Sequence, residues 1–172
     1  MPQKRKTKKK PPARHLPAPP PAERARSRPS GAPAAHPSSS LVIRPARPSD
    51  RPAIERLAGQ LFPRSAPTFG DSDHYFVAHF GERLAGWVHL RERERSVVLQ
   101  GLAVHPSLRR RGIGQALLRL ALRAAQARRP ARPVALKVQA TNAPALSLYL
   151  QEGFSLRPGA GPAYLLRRLP PN

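Results

Sequence analysis

The chain has 172 residues, with 31 lysines and arginines against nine acidic residues, a formal charge of +22, and no cysteine. That length accommodates one domain with its own core and little more. The missing cysteine excludes disulfides, thiolate nucleophiles and cysteine-ligated metals, and no apolar run reaches the roughly eighteen residues a membrane span needs.

Residues 1–40 carry ten basic side chains, one acidic one and ten prolines, and six of the bases crowd into KRKTKKK. Such a segment buries too little apolar surface to offset its ordering entropy, so a disordered basic tail over 1–40 and a folded domain over 41–172 are expected. The prolines leave no room for a secretory h-region or an amphipathic transit helix. A soluble, cytoplasmic protein is expected. The lysine cluster suits non-specific contact with nucleic acid or the ribosome, yet it lacks the interleaved aromatics of single-strand readers. A merely solvated tail is the competing reading. Beyond residue 40 every basic residue is arginine except Lys137.

From Leu41, LVIRPA reads as a first strand. PSDRPAIERLAGQLF then reads as a helix capped by Ser49 or Asp50, with Ile54, Leu57 and Leu61 on one face and Pro63 as its stop. HYFVAHF and RLAGWVHLRE are strands joined at Gly81-Glu82, and SVVLQGLAVH is a third after a charged turn around Arg93. Trp87, in mid-strand, is expected in the core. Ile113, Leu117, Leu120, Ala121 and Ala124 recur at helical spacing and predict a long helix from Gly112 to Ala127. PVALKVQA is a strand, NAPALSLYLQEG a helix ending at Gly153, and FSLR and AYLLRRL two last strands around a Pro/Gly turn. The order β-α-β-β-β-α-β-α-β-β makes a right-handed parallel crossover the default around the long helix.

The stretch SLRRRGIGQALL places three arginines before Gly-Ile-Gly at the start of that helix. A helix N-terminus presents unsatisfied N–H groups and partial positive charge, and glycine lets the backbone close around a ligand. Arg109, Arg110, Arg111, Gly112, Ile113, Gly114 and Gln115 are therefore a candidate pyrophosphate site, against the plainer reading of a solvated basic surface. A dinucleotide fingerprint or a P-loop would need other spacings.

VHPSLRRRGIGQALL resembles the acetyl-coenzyme A signature of the GNAT acetyltransferases, with Arg109, Gly112 and Gly114 at its fixed positions. NAPALSLYLQEGF is similar to the same family's second segment through Asn142, Ala145, Tyr149, Gly153 and Phe154. The resemblance covers about residues 41–169. It implies the GNAT acyl-CoA N-acyltransferase fold, an α/β (α+β) domain whose mixed, mostly antiparallel sheet splays between parallel fourth and fifth strands and is flanked by helices. It also implies acetyl-CoA as cofactor, main-chain pairing of the pantetheine around Leu102 and Val104, a cofactor contact at Asn142, and Tyr149 as the acid that protonates the departing thiolate. No metal enters that chemistry.

Gly101 interrupts a branched strand, which marks a bulge or a close backbone approach. The resemblance implies a base that is either a glutamate on the fourth strand or an ordered water; this strand reads SVVLQG, and Gln100 cannot take a proton, so a water relay is expected. Glu92 and Glu94 read as surface charges in an arginine-rich turn, paired at under about 1 kcal/mol, and His74 and His105 as a strand entry and a strand exit. The segment Pro63 to Asp73 is too short and too rich in proline for a full helix, and the last loop, PGAGP, is short too. Both point to an open groove. The reading is an N-acetyltransferase acting on an amine acceptor, leaning to a protein N-terminus or lysine. The alternatives are a non-catalytic acetyl-CoA-binding module of the same fold and a nucleic-acid-binding protein.

Overall fold

The computed structural model describes residues 40–157 and 163–168, with backbone alone for 163–167. The expected tail over 1–40 and the PGAGP loop lie almost wholly outside the described residues. The elements are β1 (Leu41–Pro45), α1 (Arg51–Leu61), β2 (Asp73–Phe80), β3 (Arg83–Glu92), β4 (Val97–Val104), α2 (Ile113–Arg128), β5 (Val134–Gln139), α3 (Ala143–Gln151), β6 (Ser155–Arg157) and β7 (Ala163–Arg168). This is the order expected from periodicity. One seven-stranded sheet runs β1-β2-β3-β4-β5-β7-β6. Its neighbours are antiparallel except β4 and β5. That exception follows from the connection, because only a crossover as long as α2 can return the chain to a parallel neighbour.

Strand alternation divides the core between the two faces of the sheet. On one face Phe76, Val88, Leu90, Val97, Leu99, Leu136 and Val138 pack with Ile113, Leu117, Leu118, Ala121 and Leu122 of α2 and with Tyr149 of α3. On the other, Tyr75, Val77, Trp87 and Ala103 meet Ile54, Leu57 and Ala58 of α1. Burying those α1 side chains supplies about 1.5–3 kcal/mol for each large residue. Trp87 is buried, as expected of a core residue.

Asp50 does not cap α1 through its side chain. It ends a short 3-10 turn, Pro48–Asp50, in a helical conformation. Its buried carboxylate accepts from the Arg44 guanidinium at 2.6 and 3.0 Å and from the Arg47 N–H at 2.7 Å. The Arg44 bond, against the cost of burial, holds that carboxyl down at about 2. Residues 63–72 form no helix, as their prolines dictate. They are fastened to the sheet instead: Tyr75 donates to the Thr68 carbonyl at 2.9 Å, Arg91 donates to the Thr68 hydroxyl, and the Phe69 ring stacks on Tyr75 with centroids 4.8 Å apart.

Candidate active site

The sheet is incomplete at its centre. β4 and β5 pair only at Val97 with Val134, Val98 with Ala135 and Leu99 with Leu136. Beyond Leu99, β4 continues alongside β3 as far as Val104, and beyond Leu136, β5 continues alongside β7. The two strands therefore part into a fork whose inner edges lack a β partner. A register shift between His89 and Leu90, opposite Leu99 and Gly101, places a bulge in β4 where the parting begins. Gly101 also answers to close approach, because a Cβ there would lie 2.9 Å from two carbons of the Trp87 ring. A bulge bends its strand and sharpens the local twist, which swings β4 away from β5.

The N-terminus of α2 opens beside the free end of β4. A Cβ on Gly114 would stand 3.6 Å from a Val104 methyl and 3.8 Å from a Leu148 methyl, so β4, α2 and α3 converge there. Gly112 occupies the cap position with φ +77°, and no side chain caps the helix. The N–H groups of Ile113, Gly114 and Gln115 accordingly have no acceptor within the helix. Arg110 is left-handed too, at φ 63°, so the chain folds back on itself just before the helix. Arg109 donates through Nε to the Val104 carbonyl at 3.2 Å, tying the loop to the end of β4. Arg110 and Arg111 are exposed beside it.

The structure gathers the expected binding residues at this end of the fork and restricts what each offers. Leu102 and Val104 turn their side chains onto the core, and the Ile113 side chain is buried, so these three present main chain. Gln115 spends its side-chain amide on Glu152, 2.8 Å away. Asn142 follows β5 at the fork's open end and caps α3, its Oδ1 accepting from the Ala145 N–H at 3.3 Å. Tyr149, from the same helix, is 6% exposed and meets the Phe154 ring edge-on at 5.6 Å. Burial pushes its hydroxyl up to about 12.

Glu92 ends β3, as the strand reading of RLAGWVHLRE has it, but its partners are not those of the arginine-rich turn. It accepts from Arg128 at 3.1 Å and Arg129 at 2.9 Å, with His74 at 2.9 Å. The Arg128 bond, against burial and aided by Arg129 and His74, lowers its carboxyl to about 2. So firmly ionised and so fully partnered a group is a tie between the sheet and the end of α2, not a base. Sequence reasoning also passed over His89, which is buried, lies face to face with Tyr75 at 4.2 Å, and holds Asp73 at 2.8 Å. Burial lowers its basicity, so it is neutral near pH 7. The signal available was a histidine in phase with Trp87 on the α1-facing side of an apolar strand.

A model of the Acetyltransferase (GNAT) family matches residues 43–154. Among solved structures, the ribosomal-protein-S18-alanine N-acetyltransferase from Escherichia coli superposes with a TM-score of 0.65 at 20% identity, covering 76% of this chain and 94% of that one. NAA60 of Arabidopsis thaliana, in complex with a bisubstrate analogue, gives 0.63 at 23% identity, covering 76% and 98%. A PaiA N-acetyltransferase from Thermoplasma acidophilum, in complex with coenzyme A, gives 0.64 at 16% identity, covering 76% and 99%. At these identities the likeness is one of fold. No curated protein matches the chain in sequence.

Proposed function

The chain belongs to the GNAT acetyltransferase family, and we propose that it moves the acetyl group of acetyl-CoA onto the amine of a protein N-terminus or a lysine side chain. One observation carries the site: β4 and β5 stop pairing after three residues, and the uncapped end of α2 opens where they part. Acetyl-CoA is extended along its pantetheine and doubly charged at its diphosphate, and both parts fit. The unpaired strand edges at Leu102 and Val104 offer hydrogen bonds to an extended chain. The N–H groups of Ile113, Gly114 and Gln115, with Arg109, Arg110 and Arg111, offer several converging donors to an anion. Among the described residues Arg109 uses only its Nε, on Val104, which leaves both terminal nitrogens for that anion. Asn142, at the end of β5, flanks the same opening.

When bound, the cofactor supplies an activated acyl group and a thiolate leaving group. Tyr149 keeps its proton at neutral pH because burial raises it to about 12. A thiol is the stronger acid by several units, at about 8.5, so outright loss of the tyrosine proton to sulfur is uphill by roughly 5 kcal/mol. Tyr149 therefore acts as a hydrogen-bond donor to the developing charge on sulfur, completing the transfer only as the attacking amine gives up its own proton. Gln100, at the bulge, orients water by hydrogen bonding and accepts no proton itself.

Tyr149→Phe should leave acetyl-CoA binding unchanged, read as an undiminished rise in melting temperature with cofactor, while kcat on acceptor peptides falls by about 10²- to 10⁴-fold. An unaltered kcat removes Tyr149 from the chemistry. A wild-type chain whose melting temperature saturating acetyl-CoA leaves unmoved defeats the whole reading.

A further inference from the structure

The fork has a nucleophile of its own. Lys137 is the only lysine after residue 10, in a domain whose other basic residues are all arginine. Leu99 and Leu136 are the last paired residues of β4 and β5, so Gln100 and Lys137 are the first residues on either side of the opening. Leu136 and Val138 are buried in the core beneath α2 and α3. Alternation along β5 therefore turns Lys137 to the opposite face of the sheet, the face of Trp87 and Ala103. It is exposed, and its side chain makes no hydrogen bond or ion pair with another of the residues whose side chains are described. By contrast Arg44, Arg51, Arg91, Arg119, Arg128 and Arg129 are each paired with a carboxylate.

We propose that Lys137 is a self-acetylation site: a lysine at the base of the fork, without a side-chain partner among the described residues, held where a bound thioester must lie. The inference rests on acetyl-CoA occupying the fork as argued above. Arginine could not serve in its place, since a guanidinium stays protonated and has no free electron pair, whereas an ammonium that sheds a proton is a nucleophilic amine. The neutral Nζ attacks the thioester carbonyl carbon. The N–C bond forms, the C–S bond breaks with its electron pair leaving on sulfur, and the proton lost from nitrogen ends on the thiol. Attachment to β5 makes the step unimolecular. The product is a neutral amide, so that face of the sheet loses a positive charge.

The test uses the full chain with acetyl-CoA and follows every lysine by mass spectrometry, with Lys4, Lys6, Lys8, Lys9 and Lys10 as internal references for uncatalysed acetylation. Lys137 should gain its acetyl group at least about tenfold faster than any reference, with a rate constant independent of protein concentration. Equal rates, or a rate proportional to protein concentration, overturn the proposal. A second measurement needs no turnover: coenzyme A without the acetyl group should shield Lys137 several-fold from an amine-reactive ester and leave the references as reactive as before. Absence of shielding also overturns it. Lys137→Arg should abolish the mark and retain the cofactor-induced rise in melting temperature. If acetyl-CoA shifts the melting temperature but Lys137 stays unmodified, this inference alone fails. If there is no shift, the proposed function fails with it.

Discussion

Gly112 and Gly114 are two glycines of one motif with different physical tasks. At Gly112 a Cβ would meet nothing within 4 Å, so the constraint is conformational: φ is +77°. Gly112→Ala should cost about 1–2 kcal/mol of stability, the penalty of a left-handed residue with a side chain, and weaken acetyl-CoA binding because the helix mouth shifts. Gly114 is the second residue of α2, where alanine is the better helix former by up to about 1 kcal/mol, the figure for a helix interior. Its added methyl would stand 3.6 Å from Val104 and 3.8 Å from Leu148, an ordinary contact that nonetheless fills the place where a ligand must approach the backbone. Gly114→Ala should hold or raise the melting temperature of the free chain while reducing the further rise that acetyl-CoA produces. Full retention of that further rise would show that the ligand does not come close at Gly114. The motif spacing singled out both glycines. It was silent on which does what, because that depends on β4 and α3, and on the left-handed Arg110, a conformation that nothing in a run of three arginines announces.

At the scale of elements, Glu92 is the instructive residue. In RERER its neighbours in sequence are arginines, and local pairing is the natural reading. Strand alternation instead turns it toward α2, and its partners come from His74 on β2 and from Arg128 and Arg129, 36 and 37 residues away. Elements were legible because period and punctuation are local. The tie between them was not, because which cation reaches a carboxylate depends on how α2 lies across the sheet. The pH consequence has a definite sign. Glu92 is lowered from 4.5 to about 2, so its stabilisation is present above the unfolded value and is lost as pH falls through that window. Glu92→Gln should lower stability near pH 7 by about 1 kcal/mol, a figure kept small because Arg128 and Arg129 are solvent-exposed. The gap between variant and wild type should close from about pH 4.5 downward, read from melting temperatures across pH. A gap independent of pH would mean that shape, not charge, sets the cost.

For the whole molecule the topology was within reach, since a long helix between two strands forces a parallel crossover and tight loops elsewhere force antiparallel neighbours. The fork was legible only as part of a family resemblance. Its direct cause, the parting after Leu99, is a matter of register that the residues of one strand do not state. The charge has a consequence for the acceptor. Asp50, Glu55, Asp73, Glu92 and Glu152 are each already bound to arginine, in a domain whose residues 41–172 hold 21 basic side chains against eight acidic ones. An approaching peptide feels that field over about 8 Å at physiological ionic strength, the distance within which an acceptor must dock. Among peptides sharing their first residues, those with glutamate further along should therefore show a several-fold higher kcat/KM than those with lysine at low salt, and added salt should bring the two together. Equal rates at low salt, or a preference that salt leaves intact, would mean that contacts inside the groove, and not the field around it, choose the acceptor.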